Sequence, residues 1–190
     1  MRASILTCLI WMLSSASSIA NAQLTVANLE TQLANGQNVQ ALMDIYKSAN
    51  LPNEVSLWLD AKAEEGVPPF QYEVSRRLIA TNFEQGVKWY ARAFIARSMD
   101  LSQCRDKNRN PVRMVIGTLY APVQDQVLTK RSMYGQALEE AIKWEQSRKT
   151  KPTPHWICGS DFIDGEEGEK LRRAKYSENI DDAQRIKAGN

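Results

Sequence analysis

Histidine is almost missing from this chain. One of its 190 residues is histidine, His155, and three are cysteines, Cys8, Cys104 and Cys158. There is no C-x-x-C pair, so the usual spacings of a dithiol redox centre or a zinc site do not occur. Catalytic signatures are equally scarce. Gly159-Ser160 lacks the G-x-S-x-G setting of a nucleophile elbow. No P-loop or glycine-rich dinucleotide fingerprint is found, and the acids from Asp161 to Glu169 do not follow the EF-hand spacing. An excess of one charge is also missing, with 24 Lys and Arg against 22 Asp and Glu. That balance argues against a nucleic-acid binder, which carries a basic excess on one face. No cofactor is expected.

A long hydrophobic run is absent too, but a short one opens the chain. Arg2 precedes the apolar stretch Ile5 to Leu13, and Ala20-Asn21-Ala22 supplies an A-x-A pattern. This order predicts a signal peptide over 1–22, cleaved after Ala22. The apolar stretch is well short of the ~20 residues that span a bilayer, so no stable membrane span is expected after cleavage. Cys8 sits inside the run behind Thr7, which does not suit a lipoprotein cysteine. Cleavage removes Arg2 and no acid, leaving 23 basic residues against 22 acidic. The short signal and the lack of any N-x-[ST] sequon point to a bacterial periplasm. In an oxidising compartment the two remaining cysteines, Cys104 and Cys158, are most simply a disulfide.

The stretch from Phe83 to Cys104 reads as one amphipathic helix. Val87, Tyr90, Phe94 and Arg97 share one side; Trp89, Ala93, Ala96 and Asp100 share the next. Large apolar residues facing alanines at three- and four-residue spacing suit a helix packed closely on others. Asn82 is its expected N-cap. Glu139 to Trp144 (EEAIKW) repeats the pattern of Glu84 to Trp89 (EQGVKW), so two helices are expected to solve a similar packing problem.

Before this stretch, helical spacing recurs over Leu24 to Ala34, from Asn38 past Tyr46, from Asn53 to Glu65, and over Phe70 to Ala80. Asn38 and Asn53 are expected caps, and Gly66 is expected at a helix C-terminus. After Cys104, Arg105, Lys107, Arg109 and Arg113 lie in or beside a charged, turn-rich loop. Val112, Val115, Ile116, Leu119, Val123 and Val127 then fall on one helical face. Gly117 and Pro122 predict a kink or two helices there, with a strand over 112–120 as the rival. Ser132 is the expected cap of a helix reaching Arg148. Lys149 to Pro154 reads as an extended connector, and His155-Trp156 returns to the body of the protein. From Gly165 onward apolar residues are sparse, which predicts a polar, mobile tail over 165–190.

The predicted fold is therefore all-α: antiparallel helical hairpins packed as a bundle or short repeat-like array over 23–164, with one disulfide. Glu65-Gly66-Val67-Pro68, followed by Phe83 to Ala93 (FEQGVKWYARA), resembles fragments of a Sel1-like repeat, a relative of the tetratricopeptide repeat. Such repeats carry a G-V-P loop and a helix similar to D-Y-E-K-A-L-K-W-Y-R-K-A. The loop-to-helix spacing is longer here, and Gly86 stands where Ala is usual. The resemblance implies helix–turn–helix architecture and, through it, a protein-binding scaffold.

A protein partner is accordingly expected, with Arg105, Lys107, Arg109, Arg113, His155 and Trp156 as candidates for contact. A glycan hydrolase working through Glu84 with Glu139 or Glu140 is the catalytic alternative; a small-ligand site lined by aromatic residues is the third. Expression in a bacterium with intact export checks the leader. Intact-mass spectrometry is expected to find a chain starting at Gln23, and a retained Met1 would refute cleavage.

Overall fold

Proline and glycine set most of the helix boundaries. The computed structural model describes residues 24–106, 111–148 and 155–189, and every regular element among them is a helix. Short turns join α1 (Val26–Ala34), α2 (Asn38–Lys47) and α3 (Asn53–Glu64). The last ends at Gly66, whose φ of 83° is a left-handed conformation that a Cβ disfavours. Pro68 and Pro69 open α4 (Pro68–Leu78), where their missing N–H groups and fixed φ suit a first turn. The central stretch forms α5 (Phe83–Ser102), and the Asn82 side chain accepts from the Gln85 N–H as its cap.

Residues 111–128 form two helices, α6 (Pro111–Leu119) and α7 (Ala121–Leu128), with Pro122 in the first turn of the second. The β-branched run does not become a strand; the described residues offer it no strand to pair with. The chain continues through α8 (Arg131–Ser147), the short α9 (His155–Cys158) and α10 (Gly165–Lys187). The expected connector 149–154 and the leader 1–22 lie outside the described residues. Three expected caps fall inside their helices instead: the N-cap positions belong to Gln37, Pro52 and Lys130, not to Asn38, Asn53 and Ser132.

The tail expectation needs correction. Residues 165–187 form one continuous helix that lies against both α5 and α8 and buries Gly168, Arg172, Asn179 and Ala183. Its apolar face is too thin to register as periodicity, because only Tyr176, Ala183 and Ile186 join the apolar core and the other buried positions are Gly168, Arg172 and Asn179. Gly135 on α8 lets the α10 backbone approach so closely that a Cβ would lie 2.5 Å from Lys187 Cα. Gly86 does the same for the α4–α5 hairpin, where a Cβ would meet Ile79 at 2.8 Å.

The order of contacts fixes direction. Along the α4–α5 pair, Tyr72 packs on Tyr90 and Ser75 donates to the Gly86 carbonyl, an antiparallel hairpin. Along α5 and α8, Val87 and Ala137 line one groove and Arg92 packs on Trp144, so these two run the same way. Helix α10 opposes both: Ser98 meets Asn179, and Glu139 meets Lys187. The sequence echo gains a physical meaning here. Trp89 and Trp144 stand at one level of the α5–α8 interface, and the Arg92 guanidinium lies 4.9 and 5.1 Å from their ring centroids.

Two apolar clusters make the core. One joins α1–α4 around Leu29, Ile45, Leu59 and Phe70; the larger gathers α5, α6, α7 and α8 around Val87, Ile95, Ile116 and Leu138. Helix α4 lies between them, and its residues 68–75 are all buried. Its polar members find partners. Gln71 donates to the Ala63 carbonyl, and Glu73 accepts from Arg76, Arg77 and the Tyr120 hydroxyl.

The glycine contacts predict opposite signs for one substitution type. Gly117→Ala, on an exposed position with nothing within 4 Å of the new methyl, is expected to stabilise the fold by about 1 kcal/mol through helix propensity. Gly135→Ala is expected to destabilise it by about 1–3 kcal/mol through overpacking against α10. Urea unfolding of the two variants decides the matter.

Candidate functional site

The disulfide pins the end of α5 to α9. Cys104 and Cys158 are bonded across 54 residues with their Cα atoms 5.2 Å apart. A loop of that length stabilises a fold by about 4 kcal/mol in the chain-entropy model. Beside it the chain pairs briefly as an antiparallel bridge between Cys104 and Phe162, and the Ile163 N–H donates to the Gln103 carbonyl at 2.8 Å. The basic segment after Cys104 thereby meets the acidic segment after Cys158, where Arg105 lies 3.6 Å from Asp161, both exposed.

Immediately inside this clasp lies a buried charge cluster. Asp100 of α5 accepts from the Trp156 indole N–H at 2.6 Å and lies 3.5 Å from Arg172 of α10. Arg172 also donates to Glu145 of α8 at 2.6 Å and to Gln103 at 2.9 Å, and Arg148 reaches Glu145 at 2.8 Å. Asp100, Glu145 and Arg172 are each at most 5 % exposed. Two carboxylates and two guanidinium groups balance in charge, so the cluster ties α5, α8, α9 and α10 together. Burial pushes the Asp100 carboxyl up to about 7, against the opposing pull of Trp156 and Arg172.

The expected contact residues do not form one patch. Trp156 is buried and spent on Asp100, which removes it from the surface. An indole followed by a disulfide cysteine reads naturally as an anchor once Asp100 is seen behind it. His155 is exposed, its Nδ1 2.8 Å from the Gly159 carbonyl oxygen and its ring edge-on to Phe162. It lines a shallow cleft of about 420 Å³ with Asp106 and Asp161. Arg113 lines a different recess, beside Lys175. Lys107 and Arg109 lie outside the described residues. Among the described residues no group of three His, Cys, Asp or Glu side chains could hold a metal ion. No helix among them is long and apolar enough to cross a membrane.

A groove of about 680 Å³ lies between the first turns of α5 and α8. Val87, Met133 and Ala137 give it an apolar lining; Lys88, Lys130 and Arg131 are set against Glu84 and Glu140 around them. Glu84 is exposed and accepts from Lys88 at 2.7 Å, and that hydrogen bond holds its carboxyl below the ordinary value. The sequence pointed to Glu84 and Glu140 but gave no sign of Lys130 and Arg131, which reach the groove only because α8 runs alongside α5. No family model, curated protein or solved structure matches this chain.

The cluster predicts a pH dependence of stability. A carboxyl whose folded pKa lies above its ordinary value of 3.8 holds its proton more tightly when folded. Its contribution is fully present below about pH 4 and is lost as pH rises through about 7. The stability difference between the wild type and Asp100→Asn, followed by urea unfolding from pH 4 to 8, is expected to shift in favour of the variant as pH rises. Arg172→Met is expected to cost about 3–5 kcal/mol, because it leaves two buried acids without their shared cation.

Proposed function

We propose that this is an exported, non-enzymatic helical protein of the bacterial envelope that binds another protein, in the manner of an adaptor or a toxin-immunity protein. The observation that carries the reading is the α5–α8 groove. Its apolar lining and mixed-charge surround match the make-up of protein interfaces, in which an apolar centre is edged by polar groups. The buried titratable groups point the same way, since Asp100, Glu145 and Arg172 are consumed in holding helices together, as are Glu73 with Tyr120 and Arg77 with the Ile45 carbonyl. The Gly66-Val67-Pro68 turn joins α3 to α4 directly before α5, and we keep the kinship to Sel1-like repeats as part of the same proposal.

A hydrolase is the second reading, because Glu84 and Glu140 line the same groove. Its general acid would need a carboxyl held protonated near neutral pH. Lys88 moves Glu84 in the opposite direction, and this favours recognition over catalysis.

Affinity capture from envelope extract with the purified, disulfide-intact protein tests the proposal. One stoichiometric partner is expected, retained by Glu84→Gln and weakened at least tenfold by the pair Lys88→Glu and Arg131→Glu. Capture unaffected by the charge reversals would remove the groove from the reading. Capture of nothing, together with glycan cleavage that Glu84→Gln abolishes, would replace it with the hydrolase.

A further inference from the structure

Arg97 breaks a pattern that the other inward-reaching arginines keep. Arg76 and Arg77 pair with Glu73, Arg92 with Glu64, Arg148 with Glu145, and Arg172 with Glu145 and Asp100. Arg97, half-buried on α5, has no carboxylate within ion-pairing distance among the described residues, and those residues include every Asp and Glu of the chain. Its Nε is buried without a hydrogen-bond partner. Its guanidinium lies 5.9 Å from the centre of the Tyr72 ring, a contact that supplies no oxygen along the N–H directions. Holding a guanidinium this way is costly unless something else satisfies it.

The same side chain lines a recess of about 310 Å³ formed by α5, α6 and α10. Arg113 and Lys175 also line it, and Phe94 and Leu101 give it an apolar side. The one acid in that lining, Glu178, lies 2.6 Å from Lys175 and leaves Arg97 without a carboxylate. Around the guanidinium, the phenols of Tyr72, Tyr90 and Tyr134 are pushed up by burial and remain neutral.

We propose that this recess binds the carboxylate or phosphate group of a small organic anion, gripped by Arg97 with Arg113 and Lys175 beside it. A guanidinium presents its donors in a planar fork that matches both oxyanions. The volume sits at the lower end of small-molecule sites, which suits a compact anion whose short carbon chain lies on Phe94 and Leu101. The recess is separate from the α5–α8 groove, so it stands or falls independently of the protein-binding reading.

Calorimetric titration of the purified protein with inorganic phosphate and, separately, with succinate tests this at matched low ionic strength, with sodium chloride as the control. Saturable one-site binding of at least one anion is expected, and the one that saturates identifies the group recognised. Arg97→Gln is expected to weaken it at least tenfold, Lys175→Glu to weaken it as well, and Lys88→Glu in the distant groove to leave it unchanged. Should Arg97→Gln fail to fold, Lys175→Glu decides alone. Neither anion binding beyond the chloride control would overturn the proposal, as would undiminished binding by Lys175→Glu and a folded Arg97→Gln.

Discussion

Two carboxylates buried near one another oblige a fold to bring a cation to them. Asp100 and Glu145 lie on different helices, and Arg172 on a third serves both while Trp156 holds the other side of Asp100. Such a cluster is no general source of stability, since apolar side chains of equal volume often do as well. Its value is selective. Any slip of α10 along α5 and α8 separates Arg172 from its partners and leaves charge in the interior. The disulfide acts on the same point by keeping α9, and hence Trp156, against the end of α5.

Helix positions were largely legible in the sequence. Proline and glycine punctuate it clearly, and the three- and four-residue spacing of Val87, Tyr90 and Phe94 belongs to a buried helix in any context. The parallel placement of α5 and α8 was not visible; the shared pattern implied only a similar packing problem, and its two tryptophans meet at Arg92. Helix α10 was misjudged because composition measures apolar content, whereas this helix docks through Gly135, Asn179 and an arginine. Asp100 could have raised suspicion as an acid on a helix face otherwise given to apolar residues. Its partners Trp156 and Arg172, 56 and 72 residues away in sequence, could not be read from spacing. Trp156, a candidate for partner contact by sequence, is instead buried, with its indole N–H donated to Asp100.

The surface repeats a contrast found in the interior. In the α5–α8 groove charges of both signs are present, and Glu84 and Lys88 already satisfy one another. In the recess beside α10, Arg97 has a buried Nε without a hydrogen-bond partner and no carboxylate of the chain pairs with it. A macromolecular partner with its own mixed-charge edge suits the first arrangement. The second calls for a ligand that carries the missing charge itself.

The place of α10 in the chain bears on how the molecule is made. Asp100 and Glu145 leave the ribosome well before Arg172, so a chain emerging in order has Arg148 beside Glu145 but no cation yet made for Asp100. Helices α5 and α8 can meet through Tyr90, Tyr134 and the tryptophan clasp. The cation that joins Asp100 to Glu145, however, comes only with the last helix. The last helix to be made is thus the one that completes the contact between two helices made long before it.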